Sequence, residues 1–125
     1  MSMSNARLLD GTLQLCPAGE VDLDNAYLIR DAVNRALATD KPAGIVVDLS
    51  RVTVFDSVGI GRLVSCFHIA AASGVRLRAA NPSPIVYRQL WASGLVGLLG
   101  LPTPAAGGRP ATATGGRPAT TGAGV

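Results

Sequence analysis

Five residues near the middle of the chain, Gly44-Ile45-Val46-Val47-Asp48, restrict its possible folds more than any other feature. Successive side chains on a strand point to opposite faces, so an unbroken Ile-Val-Val run needs cover on both. Such a strand belongs inside a sheet, with neighbours on either side and helices packed against it. The flanking sequence supplies those elements. Upstream, Ala26, Ile29, Ala32, Val33, Ala36 and Leu37 recur at helical spacing, while Arg30, Asp31, Asn34 and Arg35 take the other side. Asp22 or Asp24 can cap that helix, and Lys41-Pro42 ends it. Downstream, after a loop, Val58, Leu63, Val64, Phe67, Ala70 and Ala71 form a second stripe that Ser73-Gly74 stops.

Two shorter strand signals and a last helix complete the pattern. Thr12 to Cys16 reads as a short strand that Pro17 interrupts or edges. From Val75, VRLRAA alternates, with Val75, Leu77 and Ala79 to one side. The last helix follows Asn81-Pro82 and carries Ile85, Val86, Gln89, Leu90 and Ala92 to Gly94, with Trp91 expected to pack over the domain. The order β, β, α, β, α, β, α, with a weak first strand, predicts an α/β domain with a sheet of mixed direction.

Beyond Leu101 the composition changes. GGRPAT at 107–112 recurs at 115–120, and no large apolar side chain occurs before Val125. A segment that buries so little cannot offset its chain entropy, so residues 102–125 are expected to form a disordered tail. Arg109 and Arg117 lie in it. Residues 1–101 carry nine Lys and Arg against eight Asp and Glu, too even a balance for a nucleic-acid surface. The aromatic residues Tyr27, Phe55, Phe67, Tyr87 and Trp91 are scattered and do not alternate with basic ones as a base-stacking platform requires. Cys16 and Cys66 have no CxxC or His cluster nearby and read as buried free thiols in a reducing, cytoplasmic setting. MSMSNARLLDG lacks an apolar signal core, and the run Leu95–Leu101 is far below the roughly 20 residues of a membrane span. Neither nucleic acid nor membrane is an expected partner.

The chemistry concentrates at Asp56-Ser57, where the chain leaves the sheet and enters a helix. As a structural element Ser57 is an N-cap, its hydroxyl accepting from a first-turn amide. The same place has a positive dipole end and free amide donors, so a phosphate carried on Ser57 would be stabilised there. Gly59 and Gly61 leave the first turn uncrowded, which suits either a partner's close approach or close packing of helix on sheet. A hydrolase is disfavoured. FDSVG is not G-x-S-x-G, and His68 lies eleven residues along the same helix, about 16 Å away. Gly59-x-Gly61 has neither a Walker lysine nor a third glycine, so no nucleotide cofactor is expected. Asp22, Asp48 and Asp56 could gather at one sheet edge around a metal, but caps and turns explain each more simply.

Three blocks, AGEVDLDNAYLIRDAV (18–33), GIVVDLSRVTVFDSVGIGRLV (44–64) and ASGVRLRAANPSPIVYRQLWASGL (72–95), together resemble a STAS domain of the anti-sigma factor antagonist family. The resemblance covers residues 8–101, the expected STAS domain. It implies a sheet of four or five strands with helices mainly on one side. It also implies a protein that is no enzyme, needs no cofactor, and binds an anti-sigma factor with serine kinase activity, freeing a sigma factor for transcription. The kinase phosphorylates the first serine of the family's D-S-[ST]-G segment, and a serine phosphatase reverses this. Ser57 matches the phosphorylated serine, Asp56 the acid before it and Gly59 the glycine. Asp22 matches the acid of the G-E-[VIL]-D element that lies beside the serine. Val58 stands where the family usually has a second Ser or Thr, and reads as core or interface packing. The partner surface implied is the first turn of the Ser57 helix (Asp56, Ser57, Val58, Gly59, Gly61) with Asp22, Asp24 and the nearby loop. The other reading is a constitutive or ligand-sensing STAS module in which Ser57 is only a cap.

Overall fold

The computed structural model describes residues 1–39 and 41–102. The expected tail therefore lies, but for Pro102, outside the described residues. Eight elements follow in order: β1 (Ser2–Arg7), β2 (Thr12–Val21), α1 (Tyr27–Thr39), β3 (Gly44–Asp48), β4 (Val52–Phe55), α2 (Ser57–Ala72), β5 (Arg76–Ala80) and α3 (Pro84–Ala92). The five strands form one mixed sheet in the order β1-β2-β3-β5, with β4 paired to the far end of β2. β1 is antiparallel to β2, and every other pairing is parallel.

The α/β architecture is as expected, and Gly44–Asp48 is an interior strand with Ile45, Val46 and Val47 all buried. Three readings need correction. First, β2 does not stop at Pro17 but runs through it to Val21. Pairing with β3 ends at Leu15 and pairing with β4 begins at Gly19, so Pro17 falls where no parallel neighbour needs its missing N–H. Second, residues 52–55 form a strand and not a loop, and β1 occupies residues 2–7, ahead of the expected domain start at 8. Third, Trp91 does not cover the domain but is 42% exposed.

One face of the sheet makes the core. Leu13, Leu15, Ile45, Val47, Leu77 and Ala79 alternate inward and meet Ile29, Val33, Leu63, Cys66, Ala70, Val86 and Leu90 from the three helices. The other face carries Thr12, Gln14, Val46, Arg76 and Arg78, and Val46, though buried, lies outside the core cluster. After α3 the chain folds back, with Val96, Leu99 and Leu101 buried, and the carbonyl of Leu99 accepts from the Ala79 amide at the outer side of β5. No helix among the described residues is long and apolar enough to cross a membrane.

Candidate functional site

Two parallel strands end side by side to make the corner that holds Asp56 and Ser57. β4 pairs with the last residues of β2, Val21 facing Phe55, and the Asp56 amide donates to the Val21 carbonyl at 3.0 Å. The strand then turns directly into α2. Gly59 makes the turn this tight. A Cβ on it would lie 2.5 Å from the Val21 carbonyl oxygen and 3.2 Å from the Phe55 ring, so no larger residue fits unless the helix moves. Gly59 is buried, and of its two expected uses the close approach is that of helix to sheet. Gly61 is exposed, with nothing within 4 Å of a Cβ built on it.

The cap is Asp56 and not Ser57, which corrects the sequence reading. Asp56 has an extended backbone (φ −89°, ψ 178°), and its Oδ1 accepts from the Gly59 amide at 2.7 Å. A residue with β-region backbone and an oxygen placed on the third helical amide is an N-cap. Its Oδ2 accepts from the Leu23 amide at 3.1 Å, which ties the β2–α1 turn to the start of α2. That turn is closed from within. The Asp22 amide donates to Asn25 Oδ1, Asp22 Oδ1 accepts from the Asp24 amide, and Asn25 Nδ2 donates to the Glu20 carbonyl. Asp22 is half-buried and Asp24 exposed, so both carboxylates sit in a turn fastened to the Ser57 corner.

With the cap assigned to Asp56, Ser57 becomes the first residue of α2. It is exposed, and its hydroxyl has no hydrogen-bond partner among the described residues. Its own amide and that of half-buried Val58 precede the first amide bonded to the cap. Leu23, 66% exposed, and Tyr27, 47% exposed, add apolar surface on the fastened turn and the helix it opens.

Gln89 is a residue of this corner that sequence reasoning placed only within the last helix. Its Oε1 accepts from the Phe55 amide at 3.0 Å, and its Nε2 donates to the Phe55 carbonyl at 2.7 Å. One side-chain amide thus satisfies both backbone groups of Phe55 that face away from β2. A lone polar residue in an apolar helical stripe was the available signal, but its partner lies 34 residues upstream.

Other groups lie elsewhere. His68 is exposed on α2, edge-on to Phe67. Asp48 ends β3, where Oδ1 accepts from the Ser50 amide and Oδ2 from Gln14 Nε2. Partial burial acts to raise its pKa, but the bonds from Ser50 and Asn81 prevail and hold it below the ordinary value. Asp22, Asp48 and Asp56 do not converge. Among the described residues no three His, Cys, Asp or Glu side chains are placed to hold a metal. Both cysteines are free, Cys66 buried and Cys16 only half-buried. Burial pushes the Cys66 thiol up to about 11.

A sheet with a long central β2, helices on its core face and a capped strand-to-helix corner defines a class of small α/β domain. The chain belongs to the STAS domain family, whose pattern matches residues 4–104. An anti-sigma factor antagonist from Mycobacterium paratuberculosis is 27% identical, with a TM-score of 0.65, over 82% of this chain and 87% of that one. The Bacillus cell fate determinant SpoIIAA in its phosphorylated form is 23% identical, with a TM-score of 0.62, over 78% and 87%. A sulfate transporter family protein from Wolinella succinogenes is 21% identical, with a TM-score of 0.60, over 71% of each. At those identities the last two show a shared fold. No curated protein matches the chain.

Proposed function

We propose that this protein is an anti-sigma factor antagonist whose unphosphorylated form binds an anti-sigma factor with serine kinase activity, and that phosphorylation of Ser57 ends the binding. The observation that carries the reading is the state of Ser57: first in its helix, exposed, its hydroxyl unengaged because Asp56 does the capping. A hydroxyl with a structural duty would be a poor switch, since modifying it would unravel the helix start. Here the cap survives modification. The amides of Ser57 and Val58 and the positive end of α2 favour the phosphate, which brings roughly −1.5 to −2 charges. With Asp22, Asp24 and Asp56 on the same corner, that added charge repels a partner surface shaped for a neutral serine. The likeness to an anti-sigma factor antagonist at 27% identity supports the role.

In this reading the protein is itself no enzyme, acts in the bacterial cytoplasm, and depends on a serine phosphatase for its return. Pull-downs from native extract with wild type, Ser57→Ala and Ser57→Asp test it. The first two should recover an ATPase-fold kinase and the third should not, with phosphate mapped to Ser57 of the wild-type bait. Equal recovery on all three, without phosphate, would instead favour a constitutive STAS scaffold. Val58 in place of a second hydroxyl favours that second reading, though Ser57 would not be its cap.

A further inference from the structure

The sheet face turned away from the core holds a cationic groove that the proposed switch does not use. In strand register, Thr12, Gly44 and Arg76 form one row, and Gln14, Val46 and Arg78 the next. Gly44 lacks a side chain, so its row sinks between the Thr12 hydroxyl and the arginine, leaving a groove of about 320 Å³. A second hollow of about 580 Å³ shares Arg78 and is walled by Asn81, Pro84, Tyr87 and Leu101. The chain's return after α3 brings the two together. Gly100, with a left-handed φ of +72°, passes so close that a Cβ on it would lie 3.4 Å from Arg78 Cβ and 3.8 Å from Arg76 Nη2.

Neither guanidinium forms a hydrogen bond or ion pair among the described residues, and the one acid acting on them is Asp10, through its field on Arg78. Two residues apart on β5, the two arginines project from one face on Cα atoms about 6.6 Å apart. Two long cationic side chains rooted that close, with neither paired to a carboxylate, can converge on one oxyanion. The second hollow adds apolar and aromatic surface directly beside them. Residues 103–125 are an unsuitable occupant by charge, since they carry Arg109 and Arg117 and no Asp or Glu.

We propose that this groove binds a small amphiphilic anion, a phosphate monoester whose head lies between Arg76 and Arg78 and whose apolar body lies along Tyr87 and Leu101. The test is NMR titration of the full ¹⁵N-labelled chain with phenyl phosphate and, separately, inorganic phosphate. Phenyl phosphate should give saturable shifts at the amides of Arg76, Arg78, Asn81 and Tyr87, and inorganic phosphate weaker ones confined to β5. The double variant Arg76→Gln/Arg78→Gln, both exposed and so harmless to folding, should weaken phenyl phosphate at least tenfold, about 1.4 kcal/mol. Tyr87→Leu should weaken phenyl phosphate and leave inorganic phosphate unchanged. Absence of saturation below about 10 mM, unchanged binding in the double variant, or equal affinity for the two ligands would overturn the proposal.

Discussion

Asp56 divides its carboxylate between two segments, one oxygen on the Gly59 amide and the other on the Leu23 amide. Its neighbour Ser57 is bonded to neither, and the two should respond unequally to truncation. Asp56→Ala removes a cap and a tether, and should cost about 1–2 kcal/mol in urea unfolding. Ser57→Ala should stay within about 0.5 kcal/mol of wild type. If the order were reversed, the assignment of the cap would be wrong. The glycines of the same turn make a second opposed pair. Gly59→Ala drives a methyl into the Val21 carbonyl and should destabilise by about 1–3 kcal/mol despite alanine's better helix propensity. Gly61→Ala meets empty space and should stabilise by up to about 1 kcal/mol. Asp56, Ser57 and Gly59 were all legible as a strand-to-helix corner. Which of the first two caps it was not, because both residue types cap well and the backbone at 56 decides between them.

Among the elements, β4 is the one whose edge is finished by a side chain. Gln89 from α3 gives Phe55 the donor and acceptor that a further strand would have given. Gln89→Leu keeps the bulk and leaves both groups unpaired, so it should cost about 1–3 kcal/mol. Hydrogen exchange at the Phe55 amide should accelerate more than exchange at Val46 or Val47. Protection lost equally everywhere would show that Gln89 supports the whole fold and not this edge. The same element shows where pattern reading ends. Four residues with one exposed side chain, VTVF, are too short to separate a strand from a loop by periodicity, and their pairing with β2 is non-local. β3 and α2 were legible because their apolar runs are long or regular, and each boundary fell on a residue with its own chemistry, such as Gly74 at φ +75°. β1, SMSNAR, is exposed at five of its six positions and so carried no apolar alternation to read.

For the molecule as a whole, Asp48 on the acid side and Cys66 on the alkaline side, alongside Asp10 and Tyr87, shape the range of pH over which it is most stable. Asp48 has a lowered pKa when folded, so its contribution is complete above the ordinary carboxylate value, about 3.9, and is lost as pH falls through the folded one. Cys66 is raised from 9.0 to about 11, so its contribution is complete below 9.0 and is lost between there and the folded value. Stability against urea should therefore decline on both sides of a plateau. Cys66→Ala should flatten the alkaline limb while lowering the plateau, and Asp48→Asn should make the acid limb shallower. An alkaline limb unchanged in Cys66→Ala would place its origin elsewhere. In the native state a thiol reagent should react with Cys16 well before Cys66. The length of β2 has a further consequence, for synthesis. This strand lies within the first twenty-one residues of the chain, yet its parallel partners are β3 and β4, made some thirty residues later. Only the β1–β2 hairpin can close early. On the ribosome the nascent chain must carry an open β2 edge until residue 55 has emerged, and the Phe55 edge beside the Ser57 corner stays unpaired until Gln89 follows it out.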